Sequence, residues 1–133
     1  MSDLQRRQFN RWAALWPLAA LAPCVGAQST WPSKPIKMIA PVPPGGGVDI
    51  LSRAISQKLQ AAFEVPVVVE NKAGASALVG TDFVAKSPAD GNTLLMGYSV
   101  LATNKFLVNN LPYDLERDLI PVVYVGYIPL MLV

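Results

Sequence analysis

The sequence has no histidine and one cysteine among 133 residues, and only 15% of its residues are charged. Without histidine there is no Ser-His-Asp or Cys-His nucleophilic site and no histidine-liganded metal. A lone cysteine, Cys24, excludes an internal disulfide and a cysteine-rich zinc site. Catalytic signatures are missing too. Ser76 and Ser99 lie outside any G-x-S-x-G elbow, and no G-x-x-x-x-G-K-[ST] phosphate loop is present. The remaining chemistry is that of backbone groups, hydroxyls, amides and carboxylates. Neither an enzyme nor a bound cofactor or metal is expected. At 52% apolar residues the chain is too hydrophobic for a solvated tail, and its length suits one modest domain or part of a larger one.

The net charge of +2 is unevenly placed. Residues 1–27 carry Arg6, Arg7 and Arg11 against Asp3, whereas the rest balances eight basic with eight acidic residues. A neutral body argues against nucleic acid, whose binding requires clustered cations. The leader has a basic start, an uncharged stretch from Trp12 to Val25 and a small-residue end at Val25-Gly26-Ala27. That is the form of a secretory signal peptide cleaved after Ala27, which predicts export to the periplasm. The apolar stretch falls short of the roughly 20 residues needed to span a bilayer. Arg6-Arg7 leaves twin-arginine and ordinary export both open. Leu21-Ala22-Pro23-Cys24 is a loose lipoprotein box in which the proline fits poorly.

Beyond the leader the pattern alternates strand and helix. Ile36–Val42 reads as a strand, stopped by Pro43-Pro44-Gly45-Gly46-Gly47. Asp49 is placed to cap a helix running to Ala62, with Leu51, Ile55, Leu59 and Ala62 on its packed face. Val65–Val69 reads as a second strand, Ser76–Lys86 as a second helix, Thr93–Tyr98 as a third strand and Val100–Val108 as a short helix. This βαβαβ order predicts an α/β fold with a parallel sheet and right-handed crossovers. The uncharged stretch Leu119–Val133 reads as a pair of buried strands, and a chain ending there is expected to be an incomplete fold.

In such sheets ligands bind at the carboxyl ends of strands, where loops lead into helix N-termini. The candidates there are Pro44, Gly45, Gly46, Gly47 and Asp49 after the first strand, and Gly74, Ala75 and Ser76 after the second. Ser99 and Asn104 follow the third strand, with Tyr98 as a pocket wall. Glycine lets backbone N–H groups approach a ligand, and first-turn donors favour an anion. No lysine lies in these loops, which suits a hydrogen-bonding cradle better than a phosphate clamp. The turns also read simply as tight turns, and Asp49 as a helix cap rather than a ligand. Glu70 sits where a dinucleotide fold holds its ribose-binding acid, but the third glycine of G-x-G-x-x-G is absent. Asp114, Glu116 and Asp118 fall on a solvated turn.

Read in order, several segments resemble the Bug family, the extracytoplasmic solute receptors of tripartite tricarboxylate transporters. They are Trp31-Pro32-Ser33-Lys34-Pro35-Ile36, Pro41-Val42-Pro43-Pro44-Gly45-Gly46-Gly47-Val48-Asp49, Val67-Val68-Val69-Glu70-Asn71-Lys72-Ala73-Gly74-Ala75, Asp90-Gly91-Asn92-Thr93-Leu94-Leu95 and Leu111-Pro112-Tyr113-Asp114. The resemblance implies a two-lobed, type II-like periplasmic binding protein that closes over a small carboxylate. It also implies a monomer that hands its solute to membrane permease subunits. Residues 28–133 would be the first-lobe segment, holding the carboxylate on main-chain donors of the Pro44–Asp49 loop, the Gly74–Ser76 turn and Ser99. At position 42 the family usually has an aromatic residue, so Val42 implies a reshaped pocket floor. With the second lobe absent, the alternative expectation is a truncated fragment that is non-functional or self-associates.

Overall fold

The structure is a computed structural model and describes residues 31–127. The leader, its cleavage after Ala27 and Cys24 lie outside the described residues, as does the end of the second apolar strand expected near the C-terminus.

Three parallel strands and three helices alternate along the chain: β1 Ile36–Ala40, α1 Gly47–Phe63, β2 Val67–Asn71, α2 Leu78–Ala85, β3 Thr93–Leu95 and α3 Val100–Leu107. The sheet order is β2-β1-β3, so the first strand is central. Ile36 pairs with Val67 through to Ala40 with Asn71, and Lys37 to Ile39 pair with Thr93 to Leu95. The parallel α/β architecture predicted from the sequence is therefore present. The chain steps to one side of β1 and then back across it. Right-handed crossovers accordingly place α1 and α2 on opposite faces.

The strands differ from their predicted bounds, and at two of these ends a proline is the reason. β1 ends at Ala40 rather than Val42 because Pro41 has no N–H to continue the ladder. β2 begins at Val67, just past Pro66, and extends to Asn71 because Glu70 and Asn71 pair with Ile39 and Ala40. β3 stops at Leu95, although the Met96 N–H still donates to the Ile39 carbonyl at 2.9 Å.

Ile36, Met38, Ile39 and Ala40 form the buried heart, joined by Val67, Ala77, Met96 and Tyr113. The packed stripe of α1 differs from the apolar face expected of it. Ser52 and Ser56 are buried against the sheet, Leu51, Ile55 and Leu59 flank them half-buried, and Ala62 is exposed. Small side chains let the helix axis approach the strands, and the Ser52 hydroxyl is satisfied by the Val48 carbonyl at 2.6 Å. On α2 the same function falls to Gly80. A Cβ there would lie 2.8 Å from both the Lys72 carbonyl oxygen and Pro41 Cβ.

Residues 119–127 overturn the reading of buried strands. They form no strand, and Ile120 is 86% exposed with Val122, Val123, Tyr124 and Tyr127 similarly open. Hydrophobicity alone suggested burial, but β-rich residues form a strand only where a sheet edge receives them. Among the described residues no helix is long and apolar enough to cross a membrane.

Candidate functional site

The parallel sheet sends all three strand-to-helix loops to one edge, with the β1 loop between the other two. The sequence-predicted residues Pro44–Gly46, Gly74–Ser76 and Ser99 all fall on these loops, whereas Gly47, Asp49 and Asn104 sit on the helices that follow.

In the β1–α1 loop, Gly45 has φ 90° and Gly46 is the extended residue at the helix N-cap, with no side-chain cap. The first helical bond runs from the Ile50 N–H to the Gly46 carbonyl at 3.0 Å. The N–H groups of Gly47, Val48 and Asp49 therefore precede the hydrogen-bonded ladder and are free to meet an acceptor at this exposed turn. Asp49 is not the N-cap. It is the third helical residue, and its carboxylate reaches back to the Gly45 N–H at 2.9 Å. This resembles the reciprocal half of a capping box, and it explains why an N-cap assignment from spacing alone was one turn out of place.

The Asp49 carboxylate is 3% exposed and fully occupied. Besides Gly45 it accepts from Arg53 Nε at 3.1 Å and Asn71 Nδ2 at 2.8 Å. The Arg53 hydrogen bond is the main cause, followed by those from Gly45 and Asn71, of a pKa lowered to about 2. Asp49 is thus anionic at any physiological pH, and its oxygens face inward. Neither Arg53 nor Asn71 was among the residues singled out from sequence. The i,i+4 spacing of Asp49 and Arg53 was a visible signal for the first. Nothing local signalled Asn71, whose partners lie 22 and 29 residues away.

The β2–α2 turn is unusual in its backbone. Gly74 has φ 142°, and Ala75, Ser76 and Ala77 follow at 44°, 53° and 70°. Three consecutive non-glycine residues in the left-handed region store strain and delay α2, expected from Ser76, until Leu78. Such a run turns successive N–H groups toward one side, a form suited to an anion. The Ser76 carbonyl is held from behind by Asn104, which is buried on α3 and donates its Nδ2 at 2.8 Å. Ser99 occupies the N-cap of α3 without a side-chain capping bond, and Ser99 and Tyr98 both remain exposed.

The other sequence candidates are structural. Glu70 pairs with Lys37 at 3.6 Å and Lys72 at 3.7 Å. Asp114 accepts the N–H groups of Glu116 and Arg117 at 3.0 and 3.1 Å, and Asp118 pairs with Arg117. These carboxylates close a turn. No group of three or more metal-ligating side chains occurs among the described residues. Two surface hollows, of about 450 Å³ beside Tyr113 and about 810 Å³ beside Lys72 and Phe83, leave out the glycine turn after β1. Residues 43–47 of that turn are themselves exposed.

Known proteins resemble this chain in sequence and fold. Residues 51–133 match the family model described as the tripartite tricarboxylate transporter family receptor. Protein BugT of Bordetella pertussis is 47% identical over 117 residues, covering 86% of this chain and 36% of BugT. A protein encoded in the tcbD-tcbE intergenic region of a Pseudomonas species is 42% identical over 103 residues, covering 77% of this chain and 31% of its own. A solved periplasmic transporter is 36% identical with a TM-score of 0.55, covering 63% of this chain and 29% of that one. The chain thus spans about a third of the length of the curated relatives it matches. On the extent of these matches, the chain belongs to the receptor family of the tripartite tricarboxylate transporters, a family of solute-binding proteins and not of enzymes.

Proposed function

We propose that the chain forms the first-lobe part of a periplasmic receptor that captures a small carboxylate for a tripartite transporter. One observation carries the reading. Main-chain donors at the start of α1 and along the left-handed turn open onto the same sheet edge, and the nearby carboxylate, Asp49, is consumed internally. A carboxylate needs two or three donors to replace its lost water, and backbone N–H groups supply them at no side-chain entropy. In this reading Gly46, Gly47, Ala75, Ser76 and Ser99 present donors, Pro44, Gly45 and Gly74 shape the turns, and Asp49 and Asn104 hold them in place. The leader would direct export and be cleaved after Ala27, and the permease subunits would receive the solute.

Calorimetric titration with succinate, malate, adipate and citrate tests the site. At least one of the four should bind, and Gly46→Val should weaken that binding tenfold or more. Gly46 is extended, and its nearest Cβ contact would be Pro43 O at 3.9 Å, so valine fits the fold and obstructs only the approach. Affinity unchanged by Gly46→Val would remove the cradle from the reading.

The exposure of Ile120, Val122 and Tyr124 favours a second reading, in which this apolar segment drives self-association. Light scattering across a concentration series decides it: a constant monomer mass rules self-association out.

A further inference from the structure

We infer that Asn71 is a positioning residue of the carboxylate cradle: its carboxamide ties the glycine turn after β1 to the root of the turn after β2, fixing the two loops relative to each other before solute arrives. This rests on the receptor reading above but is read from different bonds.

Asn71 is the last residue of β2, three positions before Gly74. It pairs with Ala40 in the sheet, so its side chain emerges on the face that α1 covers. Its Nδ2 donates to the Val42 carbonyl at 3.2 Å and to Asp49 Oδ1 at 2.8 Å. Its Oδ1 accepts from an Arg53 terminal nitrogen at 3.0 Å. A carboxamide has two N–H donors and one carbonyl oxygen, and every one of these groups is in use. Asp49 in turn holds the Gly45 N–H, so β2 reaches the glycine turn through two successive hydrogen bonds. Aspartate at position 71 would lack the donors, and serine would be too short to span both partners.

The charged groups around Asn71 make the inference testable. Asp49 and Arg53 face it from α1, while the flanking Glu70 and Lys72 pair with each other, and Lys37 of β1 pairs with Glu70. Asn71→Asp would therefore set a second carboxylate against Asp49 with Arg53 alone facing both. Two such carboxylates share a proton at mildly acidic pH.

The experiment follows the Gly45 amide of the full, unliganded chain by NMR hydrogen exchange. Its protection should fall at least tenfold in Asn71→Ala and in Asn71→Asp at pH 7. Lowering the pH to 4 should restore protection in Asn71→Asp and leave Asn71→Ala unchanged, a pattern that a merely structural loss would not produce. Glu70→Gln, on the opposite face of the same strand, should match the unsubstituted protein. Whichever of succinate, malate, adipate or citrate binds should bind Asn71→Ala at least tenfold more weakly. Protection within twofold of the unsubstituted protein in both variants, or unchanged affinity, overturns the inference. Absence of binding to all four acids overturns the receptor reading instead and leaves Gly45 protection to decide this one. If both variants unfold, exchange of the Asn71 Nδ2 protons in the unsubstituted full chain decides: protection at least tenfold over a free carboxamide upholds the tie to Val42 and Asp49, and anything less overturns it.

Discussion

The left-handed run after β2 offers a quantitative test of how this edge is built. Ala75, Ser76 and Ala77 hold φ of 44°, 53° and 70°. An L-residue in that region loses roughly 1–2 kcal/mol through the approach of its Cβ to the following carbonyl. Glycine removes that strain but enlarges the unfolded ensemble, giving back about 0.4–1 kcal/mol. For the exposed Ala75 and Ser76 the balance is a gain of about 0.5–1 kcal/mol from each glycine substitution. Ala77 is different. It is 2% exposed, and losing its buried methyl costs about 0.8 kcal/mol, which brings Ala77→Gly near zero. The expected order is Ala75→Gly and Ser76→Gly together above Ala77→Gly. Urea unfolding at constant slope and thermal unfolding both read it, with about 4 °C in Tm for each kcal/mol in a domain of this size. If Ala75→Gly and Ser76→Gly both destabilise, the residues are not left-handed and the turn has another shape. Ser76→Gly also separates backbone from side chain at the site. Unaltered affinity for the bound carboxylate assigns the contact to the main chain, and lost affinity assigns it to the hydroxyl.

Three further outcomes follow from the packing and the charges. Gly80→Ala should lose about 1–3 kcal/mol, because its new Cβ would meet the Lys72 carbonyl oxygen and Pro41, both on backbone-anchored atoms that cannot swing away; equilibrium unfolding measures it. Ser56→Ala should be neutral or stabilising by about 1 kcal/mol, because the buried hydroxyl has no hydrogen-bond partner among the described residues; a loss above that size would mean that the hydroxyl is bonded. Asp49 has a folded pKa lowered from 3.8 to about 2, so its contribution to stability is complete above about pH 4 and is lost as the pH falls through 2. Acid unfolding of Asp49→Asn, compared with the unsubstituted chain, should show that part of the acid-sensitive limb flattened.

How far the sequence anticipated this edge depends on the range of each interaction. Gly45 and Gly74 announced themselves as turns because their conformational demands are local. The parallel order followed from alternating periodicity and needed no long-range information. Asp49 was placed at the correct helix end but in the wrong position, since spacing cannot separate a capping side chain from one that reaches back over the cap. The strained backbone of Ala75–Ala77 was invisible, because alanine and serine carry no preference for a left-handed turn, and the contacts beside it, Gly80 near Pro41 and Asn104 on the Ser76 carbonyl, join residues far apart in sequence. The Ser52–Ser56 stripe was missed for a related reason. Apolar periodicity identifies the greasy face of a helix, while the closest approach to a sheet selects small side chains.

A carboxylate beside the proposed anion site is at first sight self-defeating, and Arg53 resolves the conflict. Unpaired, Asp49 would set a full negative charge within one turn of the donors at Gly47 and Val48, opposing the partial positive charge of the helix N-terminus. The guanidinium meets the carboxylate through Nε and, at 3.1 Å, through its terminal nitrogen, so the pair presents little net charge to an arriving acid. Arg53 is itself half exposed, and that geometry leaves its remaining donors toward Asn71 and solvent. Asp49 can therefore order the glycine turn through Gly45 without repelling what the turn receives. Aspartate alone would give a rigid but repulsive loop, and a neutral residue in its place would leave a permissive but loose one. The pairing of the two with Asn71 allows a turn made largely of glycine to keep one shape and still suit the anion proposed for it.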